Sequence, residues 1–133
     1  MITDPSIREQ AYQYFLEEAP ALLETVEAEI FSLQQDQELS QRKLTVNNLM
    51  RAVHTLKGGA ANVGLETIKT IAHSFEDLLK ALYSPDLEID NSLQSLLFDS
   101  YECLRLPLTA EFSQTSIDDQ GILEQANSVF VLL

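Results

Sequence analysis

The 133-residue sequence predicts an all-α protein: an antiparallel four-helix bundle with an additional C-terminal helix. Apolar residues recur at steps of three and four through several long segments, the period of a helix with one buried face. No segment alternates apolar and polar residues in the period of two that marks a half-buried strand. The breaks between periodic segments are short and carry residues that stop or start helices: Gly64, Ser84 with Pro85, and Ser116.

The first helix is read from Ile7, Ala11, Phe15, Ala19, Leu22, Val26, Ile30 and Leu33. Pro20 falls inside it and removes one backbone donor, so a kink is expected there. The apolar phase continues across Pro20, which predicts one bent helix and not two. The polar stretch 34–40 reads as a loop. A second helix is expected from about Lys43 or Thr45 to Val63, with Val46, Leu49, Val53, Leu56, Ala60 and Val63 toward the core and Gly64 as its C-terminal cap. A third starts near Leu65, with Glu66 suited to the positive end of the helix dipole. Its apolar row is Leu65, Ile68, Ile71, Ala72, Phe75, Leu78, Leu79 and Leu82, and Ser84-Pro85 ends it. The near absence of a linker between helices two and three predicts an antiparallel hairpin. Asp90 or Asn91 caps a fourth helix carrying Leu93, Leu96, Leu97, Tyr101, Leu104 and Leu108, which Pro107 is expected to bend or shorten. Ser116-Ile117-Asp118-Asp119 has the form of a capping box, and a fifth helix would follow through Ile122, Leu123, Ala126 and Val129 toward Leu133.

The length suits one domain spanning 1–133. Hydrophobic residues make up 45% of the chain, enough for a core, and only 4 Gly and 4 Pro argue against long disordered tracts. The single Cys103 excludes an internal disulfide and reads as a buried structural thiol. No apolar run reaches the roughly 18 residues that a membrane span requires. The opening Met1-Ile2-Thr3-Asp4-Pro5 lacks the basic and apolar regions of a secretory signal, so a cytoplasmic protein is expected.

A net charge of −13 argues against nucleic acid and anionic membranes as partners. The distribution is uneven. Residues 39–65 contain no Asp or Glu but hold Arg42, Lys43, Arg51 and Lys57, so this stretch carries +4 and leaves −17 for the rest. The basic island surrounds His54 and would favour an anionic group beside it.

His54 lies in the run Val53-His54-Thr55-Leu56-Lys57-Gly58-Gly59-Ala60-Ala61. The spacings bring His54, Lys57, Gly58 and Ala61 to adjoining parts of one helical face. Asn47, Arg51 and Gly58 share the side of His54, away from the apolar row, so its imidazole should meet solvent. Two glycines inside a helix cost about 1 kcal/mol each relative to Ala. A low surface at Gly58, Gly59, Ala60 and Ala61 would return something for that cost, by letting another protein approach the imidazole. Tight helix–helix packing is the other reading of the pair.

On the third helix Lys69, His73, Glu76 and Lys80 step by four, three and four along one polar flank. The hairpin can bring His73 and Glu76 toward His54. A nucleophilic imidazole must be neutral with one free lone pair, and a carboxylate on its other nitrogen fixes the tautomer and raises the ring's basicity. Glu76 can supply that carboxylate, and Lys57 can pair with a transferred phosphoryl group. The same residues allow a different chemistry, since His54, His73 and Glu76 make a plausible zinc set. A helical adaptor with no chemistry is the third reading.

The stretch Met50-Arg51-Ala52-Val53-His54-Thr55-Leu56-Lys57-Gly58-Gly59-Ala60-Ala61-Asn62-Val63-Gly64 closely resembles the phosphorylation-site helix of histidine phosphotransfer (HPt) domains. The likeness is to the variant at the N-terminus of the chemotaxis kinase CheA and related hybrid kinases. Ala72-His73-Ser74-Phe75-Glu76-Asp77-Leu78-Leu79 resembles the family's following helix, and Phe15-Leu16-Glu17-Glu18-Ala19-Pro20-Ala21-Leu22-Leu23 its first. The resemblance covers nearly the whole chain. It implies phosphorylation of His54 at Nε2, a hydrogen bond from Nδ1–H to Glu76, Lys57 and His73 in the surrounding polar network, and Arg51, Gly58, Gly59 and Ala61 at a docking surface.

It further implies a relay. Phosphate would come from an ATP-dependent histidine kinase domain and pass to an aspartate on a response-regulator receiver domain. The domain would hold no cofactor and no metal of its own, ATP and Mg being used by partner domains, and would not be an enzyme by itself. The chain reads as a stand-alone shuttle or, as the likeness to CheA favours, the N-terminal module of a longer kinase. A degenerate pseudo-HPt adaptor is the family's own non-catalytic alternative. Pro107 and the strong negative charge are not required by the family pattern.

Overall fold

A computed structural model describes residues 4–33 and 38–131. Five helices follow in order: α1 Pro5–Leu33, α2 Leu39–Val63, α3 Glu66–Ala81, α4 Asn91–Ser113 and α5 Asp119–Phe130. The described residues contain no strand. Helices α1 and α2 pack along each other, as do α2 and α3. Helix α4 closes the bundle against α1 and α3, and α5 lies on α3 and α4.

Each helix starts and ends for a local reason. Asp4 Oδ1 accepts from the amides of Ser6 (2.9 Å) and Ile7 (3.1 Å), and Pro5 takes the first helical position, where its missing donor costs nothing. Gly64 ends α2 at φ 79, and the amides at this turn return to the carbonyls of Ala60 and Ala61. Asp90 caps α4 by accepting from the amide of Leu93 at 2.9 Å. Gln114 ends α4 in the left-handed region at φ 55, with its side-chain amide on Glu111 O at 2.7 Å.

The core follows the apolar rows with local corrections. All six predicted core positions of the second helix are buried, from Val46 to Val63. In α1, Phe15, Ala19, Val26, Ile30 and Leu33 are buried, but Ile7 is 55% exposed and Leu23 takes the buried place expected for Leu22. At Ile7 the row runs past the end of the layer it would cover. Leu65 and Leu93 are half-buried at the starts of their rows.

Three boundaries differ from expectation. Helix α2 begins at Leu39, ahead of the predicted start, because Ser40, Gln41 and Arg42 are no barrier to a helix and Arg42 gains partners across the bundle. The rest of the expected loop, residues 34–37, lies outside the described residues. Pro107 does not shorten α4, which runs on to Ser113 with Pro107 buried in its packed face. The expected capping box does not form: Asp118 is the cap residue of α5 and makes no side-chain cap bond, while Ser116 stays in the connection. The end of the predicted fifth helix at residues 132–133 lies outside the described residues. Pro20 sits within a single uninterrupted α1. Cys103 is buried, and burial raises its thiol pKa.

Candidate functional site

The site lies on the seam between α2 and α3. The row Val46, Leu49, Val53, Leu56, Ala60 faces the core, which turns His54 outward, its side chain 68% exposed. From α3, Glu76 enters the seam and is 7% exposed as a residue. The spacing puts it on one polar flank with Lys69, His73 and Lys80, and the structure sets it apart from them by burying it. Ala72, Glu76 and Leu79 follow at steps of four and three, so Glu76 continues a buried row and only its carboxylate reaches the edge of the layer.

Two groups from α2 meet one oxygen of that carboxylate. His54 Nδ1 is 3.3 Å from Glu76 Oε2, and Lys57 Nζ is 2.9 Å from the same atom. A carboxylate this buried needs a partner of opposite charge, and the half-buried Lys57 provides it. Burial pushes the Glu76 pKa up, but the hydrogen bonds from Lys57 and His54 and the attraction of both outweigh it and hold the carboxyl below its ordinary range. Glu76 is therefore ionised at neutral pH and accepts. With Glu76 accepting, the neutral ring carries its proton on Nδ1, and the lone pair resides on Nε2. No described residue is hydrogen-bonded to Nε2.

Lys57 lies in the polar network around His54, as the resemblance implies, and in this structure its ammonium neutralises Glu76. His73 is not brought into this cluster. Its side chain is 61% exposed and its Nε2 stands 3.7 Å from Asp77 Oδ2 on its own helix, a pair that i,i+4 spacing alone allows. Among the described residues no three His, Cys, Asp or Glu side chains converge as a metal site, so His54, His73 and Glu76 do not form the zinc set considered above.

The Gly pair divides its work. A Cβ added at Gly58 would meet nothing within 4 Å, so this position lowers the surface one turn from His54. A Cβ at Gly59 would stand 2.6 Å from Phe15 Cδ1, so this glycine lets α1 approach α2 and belongs to packing as well. Gly59 also lines a hollow of about 200 Å³ between α1 and α2, with Tyr14, Phe15, Glu18 and Thr55. Arg51 is exposed on the His54 side, and its carbonyl accepts from Thr55 Oγ1 at 2.8 Å. Ala61 is half-buried.

The basic island does not act on His54 as one field. Arg42 lies at the other end of α2, where its Nη2 donates to Leu82 O (3.2 Å) and Ser84 O (3.1 Å) and closes the end of α3. Tyr83, whose hydroxyl donates to Asn47 Oδ1 at 2.5 Å, adds a second cross-tie there. Neither tie is visible in residue spacing, because each joins side chains from different helices.

The model of the Hpt domain family matches residues 10–116. The chemotaxis protein CheA of Treponema pallidum is 32% identical over 100 residues, covering 75% of this chain and 12% of that protein. CheA of Borreliella burgdorferi is 32% identical over 97 residues, covering 73% and 11%. The chain therefore spans little more than a tenth of the length of these curated relatives. The phosphorylated P1 domain of CheA3 from R. sphaeroides, solved in complex with CheY6, superposes with a TM-score of 0.71 at 23% identity, covering 92% of this chain and 97% of that one. That likeness establishes a shared fold.

Proposed function

The chain belongs to the Hpt domain family, and from that premise we propose that it is a phosphorelay module in which His54 carries the phosphoryl group. The observation that supports this most directly is the exposed imidazole backed at Nδ1 by a buried, ionised Glu76. The Nε2 lone pair attacks the γ-phosphorus of ATP held by a histidine kinase domain. The P–Nε2 bond forms as the bond to the bridging oxygen breaks, and ADP leaves with that electron pair. The ring, now substituted at Nε2 and protonated at Nδ1, carries positive charge, which the Glu76 carboxylate stabilises. In the second transfer an aspartate oxygen of a receiver domain attacks phosphorus, and the N–P electron pair returns to Nε2.

Nucleotide and Mg belong to the partner domains in this scheme, and the module supplies a phosphoacceptor without catalysing ATP cleavage alone. Gly58 and Ala61 leave room for whichever domain is docked, and Arg51 stands beside them. That the chain matches only 12% of the Treponema pallidum CheA supports reading it as one module of a longer protein, and the P1 domain of CheA3, solved in complex with CheY6, supports a receiver-type partner. No helix of the described residues is long and apolar enough to cross a membrane.

The test is phosphotransfer from radiolabelled ATP by a CheA-type kinase core, followed by addition of a receiver domain. Acid-labile, base-stable label on the chain, discharged by the receiver, is expected. Label on a His54→Gln variant at the wild-type level would refute the assignment.

A further inference from the structure

The far end of the α2–α3 seam carries groups that the relay leaves unused. Leu39 (58% exposed), Arg42, Lys43, Leu82, Tyr83 (40% exposed) and Pro85 line a hollow of about 320 Å³. Leu82 is its buried floor. Arg42 forms part of the wall. Its Nη2 is held by two carbonyls, and its buried Nε has no hydrogen-bond partner. Among the described residues no carboxylate lies within ion-pair distance of Arg42 or Lys43. Two adjacent cations with no counter-ion among the described residues therefore flank an apolar hollow on a chain whose net charge is −13.

We propose that this hollow docks an acidic segment of a protein partner. One aliphatic or aromatic side chain of the segment would sit among Leu39, Leu82, Tyr83 and Pro85, with neighbouring carboxylates against Lys43 and Arg42. A short segment feels the local field, which decays over about 8 Å at physiological salt. A membrane or a nucleic acid would meet the negative charge of the whole chain, which disfavours both. Lys43 precedes His54 by eleven residues, close to three full turns, so the two lie on one side of α2 about 16 Å apart along its axis. A protein held by the hollow would keep its remaining surface beside the imidazole. That consequence rests on the relay reading, and the docking itself does not.

The test uses the 133-residue chain with His54→Gln, which removes phosphorylation and leaves the hollow intact. The ¹⁵N-labelled protein is titrated with a blocked hexapeptide, EELFED, and with two controls, KKLFKK and EEASED. Saturable amide shifts centred on Leu39, Lys43, Leu82 and Tyr83 are expected with the first peptide alone. Lys43→Glu should weaken that binding roughly 5- to 10-fold by replacing an attraction with a repulsion. Leu39→Ser should weaken it with the helical circular dichroism unchanged. Absence of saturation at millimolar peptide, shifts elsewhere, or an equal response to the basic peptide would overturn the proposal. So would the same shifts produced by concentrating the chain alone, which assigns the hollow to a second copy, or by phosphatidylserine vesicles, which assigns it to a membrane.

Discussion

His54 and His73 are alike in exposure, 68% and 61% by side chain, and each has a carboxylate as neighbour. They differ in where that carboxylate stands. Behind His54, Glu76 comes from the adjacent helix, is 9% exposed by side chain and is anchored by Lys57 at 2.9 Å. Beside His73, Asp77 comes from the same helix, is 52% exposed and sits 3.7 Å away. An exposed i,i+4 pair is weak, screened and free to rotate apart. A buried acid held by an ion pair cannot retreat into water, so it keeps one ring nitrogen protonated and the other free. The difference between the two sites is the rigidity of the acid, not the accessibility of the base.

The sharpest way to break this contrast is to exchange the imidazoles for amides one at a time. His54→Gln should drop phosphorylation by a CheA-type kinase to background. His73→Gln should leave the rate within about twofold, because an exposed pair contributes little. Equal losses would mean that His73 is part of the site. Glu76→Gln should slow phosphorylation of His54 about 10- to 100-fold by removing the acid that orients the ring and stabilises its charge, as measured by single-turnover labelling. An unchanged rate would leave Glu76 a structural acid.

Lys57→Met separates anchoring from orientation. It leaves the buried carboxylate without its ammonium and should destabilise the fold by about 1–3 kcal/mol at neutral pH in urea denaturation. The sign of the pH dependence follows from the lowered Glu76 pKa. A carboxyl with a depressed folded pKa stabilises above its unfolded value, ordinarily 4.5, and that contribution is lost as pH falls through the folded value. The gap between wild type and Lys57→Met should therefore be widest near neutrality and close as the solution is made strongly acidic. A gap that grows on acidification would contradict the pairing.

The two glycines should respond with opposite signs, and the smallest effect comes from Gly58. Gly59→Ala should cost about 1–3 kcal/mol, since its methyl would stand 2.6 Å from the Phe15 ring. Gly58→Ala should instead stabilise the free chain by about 0.5–1 kcal/mol, because nothing opposes the added methyl and helix propensity improves. Matching signs for the two would dissolve the division of labour between them.

Much of this was readable from spacing because helical periodicity is a local property. The apolar row of α2 is enough to put His54 outside, and Gly64 marks the turn. The resemblance to HPt domains pointed to Glu76 as the acid behind the ring. What spacing could not supply was contact between helices. Spacing sets Glu76 on a polar flank and offers it to His54, but it does not reveal the burial that comes from continuing the row of Ala72 and Leu79. Spacing offers Lys57 to a phosphoryl group or to the polar network around His54 and cannot name Glu76 as its partner, because that ion pair crosses to another helix. For the second glycine spacing leaves docking and packing both open, because nothing in the chain announces that Phe15, more than forty residues earlier, lies against it. Pro107 misled in the opposite direction, since packing around it keeps α4 helical where isolated propensity would end it.

The connection between α2 and α3 is only Gly64 and Leu65. It touches no phosphate and carries no charge, yet it acts as a spacer gauge. His54 precedes it by ten positions and Glu76 follows Leu65 by eleven, so the two chemical groups face each other only for this count. One inserted residue would swing the second helix about 100° around its own axis unless the strain were absorbed elsewhere. A module built this way tolerates a change of surface residue more readily than a change in the length of this one joint.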